Sequence, residues 1–437
     1  DTDRSRGLGD VYKRQVLLVL LFLGVPISYA IAVSSLTAIL SSIDLNVAVL
    51  TAAQRTFVGM SKFSLTAIPF FILAGNIMNQ GGIAKRLVDF VMAILGKMPG
   101  ALLVTNIGTN ALFGAISGSA SAAAAAVGSM IRDGAEEQGY DPAVTAATNA
   151  ASSCSGLLIP PSNALITYSL ASGGTSVAAL FMAGYIPGII WALCCCVVGV
   201  LLAVKLGYKG TPGKFDWKNL GVCTLRALPS LSLIIVVIGG IIGGVFSATE
   251  GSAIAVVYAL VLAFCYRSIN LKSLWKIIVD SAKMSGMVVF LVGVSNILGW
   301  VMAFLQIPDA VAAALLSLTS NKYIILLIMN VILLVSGTFM DVTPAILIFT
   351  PLFLPICQSF GMSTIQFGLI LVYNLCIGNI TPPVGNALFV GIKVGRTSLS
   401  KVMPYMLMYY VAIIGGLLLV TFIPAVSTAL PQAMGLM

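Results

Sequence analysis

Residues 155–165 read "SGLLIPPSNAL" and residues 377–388 read "IGNITPPVGNAL", each inside an otherwise apolar run. A proline pair removes two backbone donors and crowds the preceding turn, so a helix entering either stretch must break there. In hydrocarbon such a break survives only where protein or a water-filled cavity covers the freed backbone groups. The two stretches therefore predict discontinuous helices, each covered by protein or by a water-filled cavity.

The surroundings are membrane-like. Of 437 residues, 59% are hydrophobic and 8% are charged, against roughly 25% charged in a soluble domain. Runs such as "VLLVLLFLGVPISYAIAV", "IIWALCCCVVGVLLAV", "YIILLIMNVILLV" and "VAIIGGLLLVTFI" each approach the ~20 residues of a spanning helix. The chain reads as an all-α polytopic membrane protein with about ten to twelve membrane segments, some too short or too polar to cross alone. Residues 1–15, "DTDRSRGLGDVYKRQ", lack the apolar core of a signal peptide. They are read as a non-native or disordered leader.

The formal charge of +9 follows from loops that face the cytoplasm. Lys205, Lys209, Lys214 and Lys218 form a basic connector over residues 205–228, and Arg267, Lys272, Lys276 and Lys283 form a second basic stretch. Residues 229–266 between them hold two short helices, which returns both stretches to one side. No soluble basic domain exists for nucleic acid. Eight cysteines show no CxxC spacing and histidine is absent, which argues against a disulfide framework or a transition-metal site.

The chain also repeats itself. Both proline pairs precede Asn-Ala-Leu, and a Ser-Gly-hydroxyl triplet lies upstream of each, in "ISGSAS" at 116–121 and "VSGTFMD" at 335–341. From triplet Gly to first Pro is 42 residues in one copy (Gly118 to Pro160) and 45 in the other (Gly337 to Pro382). Gly139 and Gly361 open matching polar links between them. Membrane repeats are thus expected over 16–204 and 229–437, with hairpin tips near 117–121 and 336–343 and breaks near 156–163 and 378–386. Interruptions at corresponding places in two halves point to a secondary transporter's binding site near the midplane. The residues alone leave open whether the halves are inverted.

The chemistry on offer is oxygen-rich. Ser117, Gly118, Ser119 and Ser121, with carbonyls freed around Gly156–Ile159, form one candidate sodium site. Gly337, Thr338 and Asp341, with carbonyls around Gly378–Thr381, form the other. Oxygen ligands without thiolate or imidazole suit a hard cation. The half-helices starting after Pro161 and Pro383 bring positive ends to an anion. Pro161, Ser162, Asn163, Pro383, Gly385, Asn386 and Arg396 are the candidate substrate residues, Arg396 for its two-pronged hold on a carboxylate. Lys393 is weighed beside it, with snorkelling to the interface as the plain alternative for both. Glu250 either caps a helix starting after Thr249 or faces a cavity. The glycines of "GGIIGG", 239–244, are read as close helix packing.

Six stretches resemble one family: "SGSASAAAAAVGSMI", "GYDPAVTAA", "IPPSNALITYSLASGGTSVAALFMAGYIPG", "GVFSATEGSAIAVVYALVLA", "GTFMDVTPAILIFTPLFLPI" and "ITPPVGNALFVG". They are similar to signature stretches of the large membrane subunit of the tripartite ATP-independent periplasmic (TRAP) transporters, over nearly the whole chain from residue 16. The resemblance implies two inverted structural repeats, each with a re-entrant hairpin and a broken helix, working as an elevator. It implies Na⁺-coupled import of an organic acid in the bacterial inner membrane, with no cofactor beyond the coupling ion. The implied partners are a periplasmic substrate-binding protein and a small four-helix membrane subunit, here a separate chain. Ser117–Ser121 and Gly337–Thr338 fall at its hairpin tips; Pro160–Asn163 and Thr381–Asn386 fall at its helix breaks. "PPSNALI" and "PPVGNALFVG" lean toward sugar acids such as sialic acid over C4-dicarboxylates. The rival readings are a one-component Na⁺/carboxylate transporter and, remotely, an intramembrane enzyme built on Tyr140-Asp141.

Overall fold

The computed structural model describes residues 16–437 apart from 17, 18, 21, 22, 41, 42, 211–215 and 320, so the leader 1–15 and Lys214 lie outside the described residues. Among the described residues there is no strand. An apolar chain in lipid must satisfy its backbone within each segment, and helices do so.

The first half runs α1 (Ile27–Leu40), α2 (Leu45–Met60), α3 (Ala67–Gln80), α4 (Ile83–Leu95), α5 (Ala101–Ser117), α6 (Ala120–Glu137), α7 (Pro142–Ser153), α8 (Ser155–Leu158), α9 (Asn163–Ala171) and α10 (Val177–Leu206). The second runs α11 (Trp217–Ile242), α12 (Ala248–Cys265), α13 (Leu271–Phe304), α14 (Ile307–Leu318), α15 (Lys322–Phe339), α16 (Val342–Ser359), α17 (Thr364–Asn379), α18 (Asn386–Val394), α19 (Leu399–Phe422) and α20 (Pro424–Ala433).

Among the described residues, seven helices are long and apolar enough to cross a membrane: α10, α11, α12, α13, α15, α16 and α19. The pair 45–60 and 63–80, bent by 59° at its break, forms either a broken span, which would be the eighth, or a re-entrant loop. The ten to twelve expected segments thus divide into spans and shorter apolar helices, among them α1, α5, α14 and α17. These shorter ones gain their place from packing.

α10 ends on Gly207 at φ +75°, and α11 already starts at Trp217, where the Asp216 carboxylate accepts from the Lys218 and Asn219 amides at 2.9 and 3.1 Å. Helix α11 thus covers 217–228, the later part of the 205–228 connector read from sequence. Asp216 starts the helix early, and Arg226 stays on its exposed face. The "GGIIGG" glycines also differ from expectation. A Cβ on Gly240 would fall 2.0 Å from the Phe246 ring, and Gly244 turns at φ +67°. They close α11 against its own following turn.

Two groups of helices wall the interior. α13 packs along α1, α2 and α3, with α12 against α3. The broken helices and their neighbours form the other group, held by polar bonds between helices. Asn110 Nδ2 of α5 donates to Ser152 Oγ of α7 at 2.8 Å and Asn149 Oδ1 at 3.1 Å. Asn374 Nδ2 of α17 donates to Asn330 Oδ1 of α15 at 2.9 Å, and Asn330 Nδ2 to Thr421 Oγ1 at 3.0 Å. The halves share one core: Trp191 meets the Tyr373 ring edge-on with centroids 4.9 Å apart.

Candidate functional site

Both proline pairs interrupt helices. α8 stops at Leu158, residues 159–162 are not helical, and α9 begins at Asn163. α17 stops at Asn379 and α18 begins at Asn386. Protein covers much of the freed backbone. Ser162 Oγ accepts from the Leu165 amide at 3.3 Å and donates to the Leu157 carbonyl. Thr381 Oγ1 donates to the Ile377 carbonyl at 2.6 Å, the Thr381 amide to the Gly378 carbonyl at 3.0 Å, and Tyr410 Oη to the Ile380 carbonyl at 2.5 Å.

Each break faces a helical hairpin. In the first, α5 ends at Ser117, Gly118 reverses at φ +61°, and Ser119 caps α6 by accepting from the Ala122 amide at 3.4 Å. In the second, Gly337 and Thr338 are not the tip as the triplet suggested. They lie in the last turn of α15, and the chain reverses at Met340 and Asp341. Thr338 Oγ1 is spent on the Val335 carbonyl at 2.8 Å, and the Thr338 carbonyl accepts from the Val384 amide at 3.1 Å. The counterpart of Gly337 is Gly114, since Gly114 meets Gly156 and Gly337 meets Gly378. That pairing was present in the sequence as separations of 42 and 41 residues, a closer match than 42 and 45.

Between the hairpins lies one cavity of about 670 Å³. Ser117, Gly118, Ser119, Ser121 and Asn163 line it from the first half; Asp341, Thr343, Asn386 and Lys393 line it from the second. Asn163 Nδ2 donates to the Gly118 carbonyl at 3.4 Å, and Asn386 Nδ2 to Asp341 Oδ1 at 3.2 Å. So in both halves an asparagine opening the half-helix binds the opposite hairpin tip. The opening residues of four helices line the space: Ala120 of α6, Asn163 of α9, Val342 of α16 and Asn386 of α18. Each helix start carries partial positive charge. The remaining wall is Ile68, Ile72 and Asn76 of α3 with Met284 and Val288 of α13.

Other sequence candidates stand outside this lining. Gly156, Ile159, Pro161, Ser162, Gly378, Thr381, Pro383 and Gly385 build the breaks behind it, and Gly337 and Thr338 belong to α15. Arg396 is displaced by Lys393. Gly395 ends α18, Arg396 turns at φ +49° and is exposed, and only Lys393 reaches the cavity. Glu250 is a helix cap, its Oε2 accepting from the Ser247 amide at 2.7 Å in a box closed by Ser247, two residues before the cap position expected. Asp141 accepts from the Ala143 amide at 2.8 Å and from Tyr405 Oη at 3.2 Å, a helix-start role. Sequence reasoning missed Asn379, Thr167 and Asn76. Asn379 carried a signal inside "IGNITPP"; Asn76, whose Nδ2 donates to Ser281 Oγ at 2.8 Å, lies far from either motif and carried none.

The lining holds no histidine or cysteine, one carboxylate (Asp341) and one ammonium (Lys393), among hydroxyl and amide groups. Such a set suits a hard cation and an oxyanion together.

Comparison with known proteins agrees with this architecture. Residues 15–426 match the family described as the tripartite ATP-independent periplasmic transporter, DctM component. The chain is 50% identical over 413 residues to YgiK of Salmonella typhimurium, covering 94% of this chain and 95% of that one. It is 36% identical to the C4-dicarboxylate TRAP transporter large permease protein DctM of Pseudomonas aeruginosa (92% and 93% covered). It is 32% identical to the sialic acid TRAP transporter large permease protein SiaM of Vibrio cholerae (95% and 96% covered). The crystal structure of the YdaH transporter of Alcanivorax borkumensis shares the fold, with a TM-score of 0.62, 16% identity, and 87% and 89% of the two chains covered. The chain therefore belongs to the DctM-component family of TRAP transporters and is a multi-pass large permease subunit of the bacterial inner membrane.

Proposed function

We propose that this permease imports an organic acid anion coupled to Na⁺, with the cavity between the hairpins as the substrate chamber. One observation carries the reading: stretches more than two hundred residues apart, Ser117–Ser121 and Asp341–Thr343, line a single space. Its volume of about 670 Å³ falls within the range of roughly 300–1,000 Å³ for small-molecule sites. The four helix starts and Lys393 favour a carboxylate. Hydroxyl and carbonyl oxygens at Ser117–Ser121, and the Asp341 carboxylate in the other half, supply hard ligands for Na⁺.

The two hairpin-and-break units act as inverted repeats, and the group carrying them moves as an elevator against the wall of α3 and α13. Ile68, Ile72, Met284 and Val288 give that wall an apolar face, which exchanges no polar partners when a neighbour slides past. A periplasmic substrate-binding protein delivers the acid, and a small four-helix subunit completes the membrane part. Relatives named for C4-dicarboxylate and for sialic acid bracket the substrate class, and the "PPSNALI" and "PPVGNALFVG" stretches favour a sugar acid.

Uptake into liposomes holding the large and small subunits tests this. Uptake is expected only with inward-directed Na⁺ and a cognate binding protein. Uptake without the binding protein would favour a one-component carboxylate transporter, and uptake indifferent to Na⁺ would remove the coupling.

A further inference from the structure

We propose that a second cavity, of about 230 Å³, binds the carboxylate of a small hydroxy acid and forms an outer reception site on the periplasmic side. Its place in the route rests on the transport reading above; its chemistry does not. It shares no lining residue with the chamber between the hairpins.

The charge is one-sided. Arg55 and Lys62, at the end of α2, line it together with Ser295, Asn296 and Trp300 of α13. The lining contains no carboxylate, and neither cation makes an ion pair among the described residues. The Arg55 guanidinium instead sits over the Trp300 ring, 5.6 Å from its centroid, a contact that uses no hydrogen-bond acceptor. Ser295 is 5% exposed, and its hydroxyl has no hydrogen-bond partner among the described residues. Buried hydroxyls are nearly always partnered, so an orphan beside two cations that lack an ion pair is a place where a ligand group fits.

The facing wall asks for donors. It is the C-terminal end of α9, Leu170 to Gly173. The Ser172 amide returns to the Tyr168 carbonyl at 2.8 Å and the Gly174 amide to Ser169 at 2.9 Å, leaving the Leu170 and Ala171 carbonyls without a described donor. A helix C-terminus repels a bare anion and welcomes hydroxyl hydrogens. An acid with its carboxylate toward Arg55 and Lys62 and its hydroxyl toward α9 satisfies both walls.

The location follows from the chain's own charge pattern. α10 begins at Val177, four residues after Gly173 of the cavity lining, and ends at Leu206 among Lys205 and Lys209; α13 begins at Leu271 beside Lys272 and Lys276 and reaches Trp300 near its far end. At 1.5 Å per residue, the 30 and 34 residues of these helices exceed the ~30 Å hydrocarbon core. Basic loops stay cytoplasmic, so this cavity opens on the opposite face, the one the periplasm supplies.

Trp300 provides the readout. In the full chain carrying Trp217→Phe and Trp275→Phe, at positions 76% and 69% exposed, the remaining tryptophans are Trp300 and the fully buried Trp191. Malate is expected to change Trp300 emission, and succinate, which lacks the hydroxyl, to do so more weakly. Arg55→Gln with Lys62→Gln, and separately the isosteric Asn296→Asp, are expected to weaken the malate response by about tenfold or more. Asn163→Ala with Asn386→Ala, which removes chamber groups, should abolish uptake yet keep the Trp300 response, so failure of either assignment shows separately. A malate response unchanged in Asn296→Asp and in the double Gln variant overturns the proposal. So does a phospholipid retained by the wild type in native mass spectrometry and lost from the double Gln variant, which would assign the cations to a lipid phosphate.

Discussion

Gly114 and Gly156 touch backbone to backbone: a Cβ on Gly156 would fall 2.2 Å from Gly114 Cα, and one on Gly114 would fall 2.4 Å from Gly156 Cα. Gly337 and Gly378 repeat the contact, a Cβ on Gly378 falling 2.4 Å from the Gly337 carbonyl carbon. Each contact clamps a hairpin helix to the segment entering a proline break. Gly156→Ala and Gly378→Ala are expected to cost on the order of 1–3 kcal/mol by overpacking, read as a lower Tm in detergent. Gly415→Ala, in α19 with nothing within 4 Å, should be neutral or gain about 0.5–1 kcal/mol. Equal Tm values for all three would show that the contacts hold nothing.

The two hairpin hydroxyls part company. Ser119 lines the chamber, whereas Thr338 is half-buried outside it with its Oγ1 bound to the Val335 carbonyl. Ser119→Ala is expected to weaken apparent Na⁺ affinity about tenfold, the scale of one hydrogen-bonding ligand to a charge. Thr338→Ala should leave it unchanged. Na⁺-dependent thermal stabilisation of the purified protein measures both, and the reverse order would move the ion to the other side of α15.

Lys393, within the chamber, is the cation expected to meet the substrate carboxylate. Lys393→Met should raise KM for uptake roughly tenfold to a hundredfold, matching the ~1.5–3 kcal/mol of a charged hydrogen bond. Arg396→Ala should leave KM at the wild-type value, because the residue lies past the end of α18. Loss of saturation in Arg396→Ala would restore the fork reading taken from sequence.

Ser162 holds the first break shut without touching the chamber. Ser162→Ala removes the cap on α9 and leaves the buried Leu157 carbonyl without its donor, at a cost of about 1–2 kcal/mol. Tm should fall while KM and Na⁺ dependence persist; a changed KM with wild-type Tm would place the hydroxyl on the substrate.

Much of this protein was legible because the decisive residues act locally. A proline pair lacks its donors wherever it is placed, so the breaks at Pro160–Pro161 and Pro382–Pro383 followed from covalent structure alone. A 59% hydrophobic chain with 8% charge has no soluble solution. Asn163 and Asn386, two and three residues after each pair, were sound candidates because the start of a half-helix is fixed by the break before it. The reversal at Met340 and Asp341 lies within the expected 336–343 but past Gly337–Thr338: "SGT" imitates "SGS", whereas Gly337 is small because another backbone crosses it, a cause the triplet does not contain.

What the sequence determined by itself was therefore the membrane class, the existence of two interruptions, and the oxygen-rich chemistry beside them. Tertiary structure decided which of those groups share one chamber: Asp341 and not Thr338, Lys393 and not Arg396, with Asn76 contributed from a helix that no motif marks. Helical side chains turn by about 100° per residue, so one or two positions, or a left-handed turn after Gly395, carry a charge from cavity to surface. That angle depends on where neighbouring helices begin and end, and only their packing sets it.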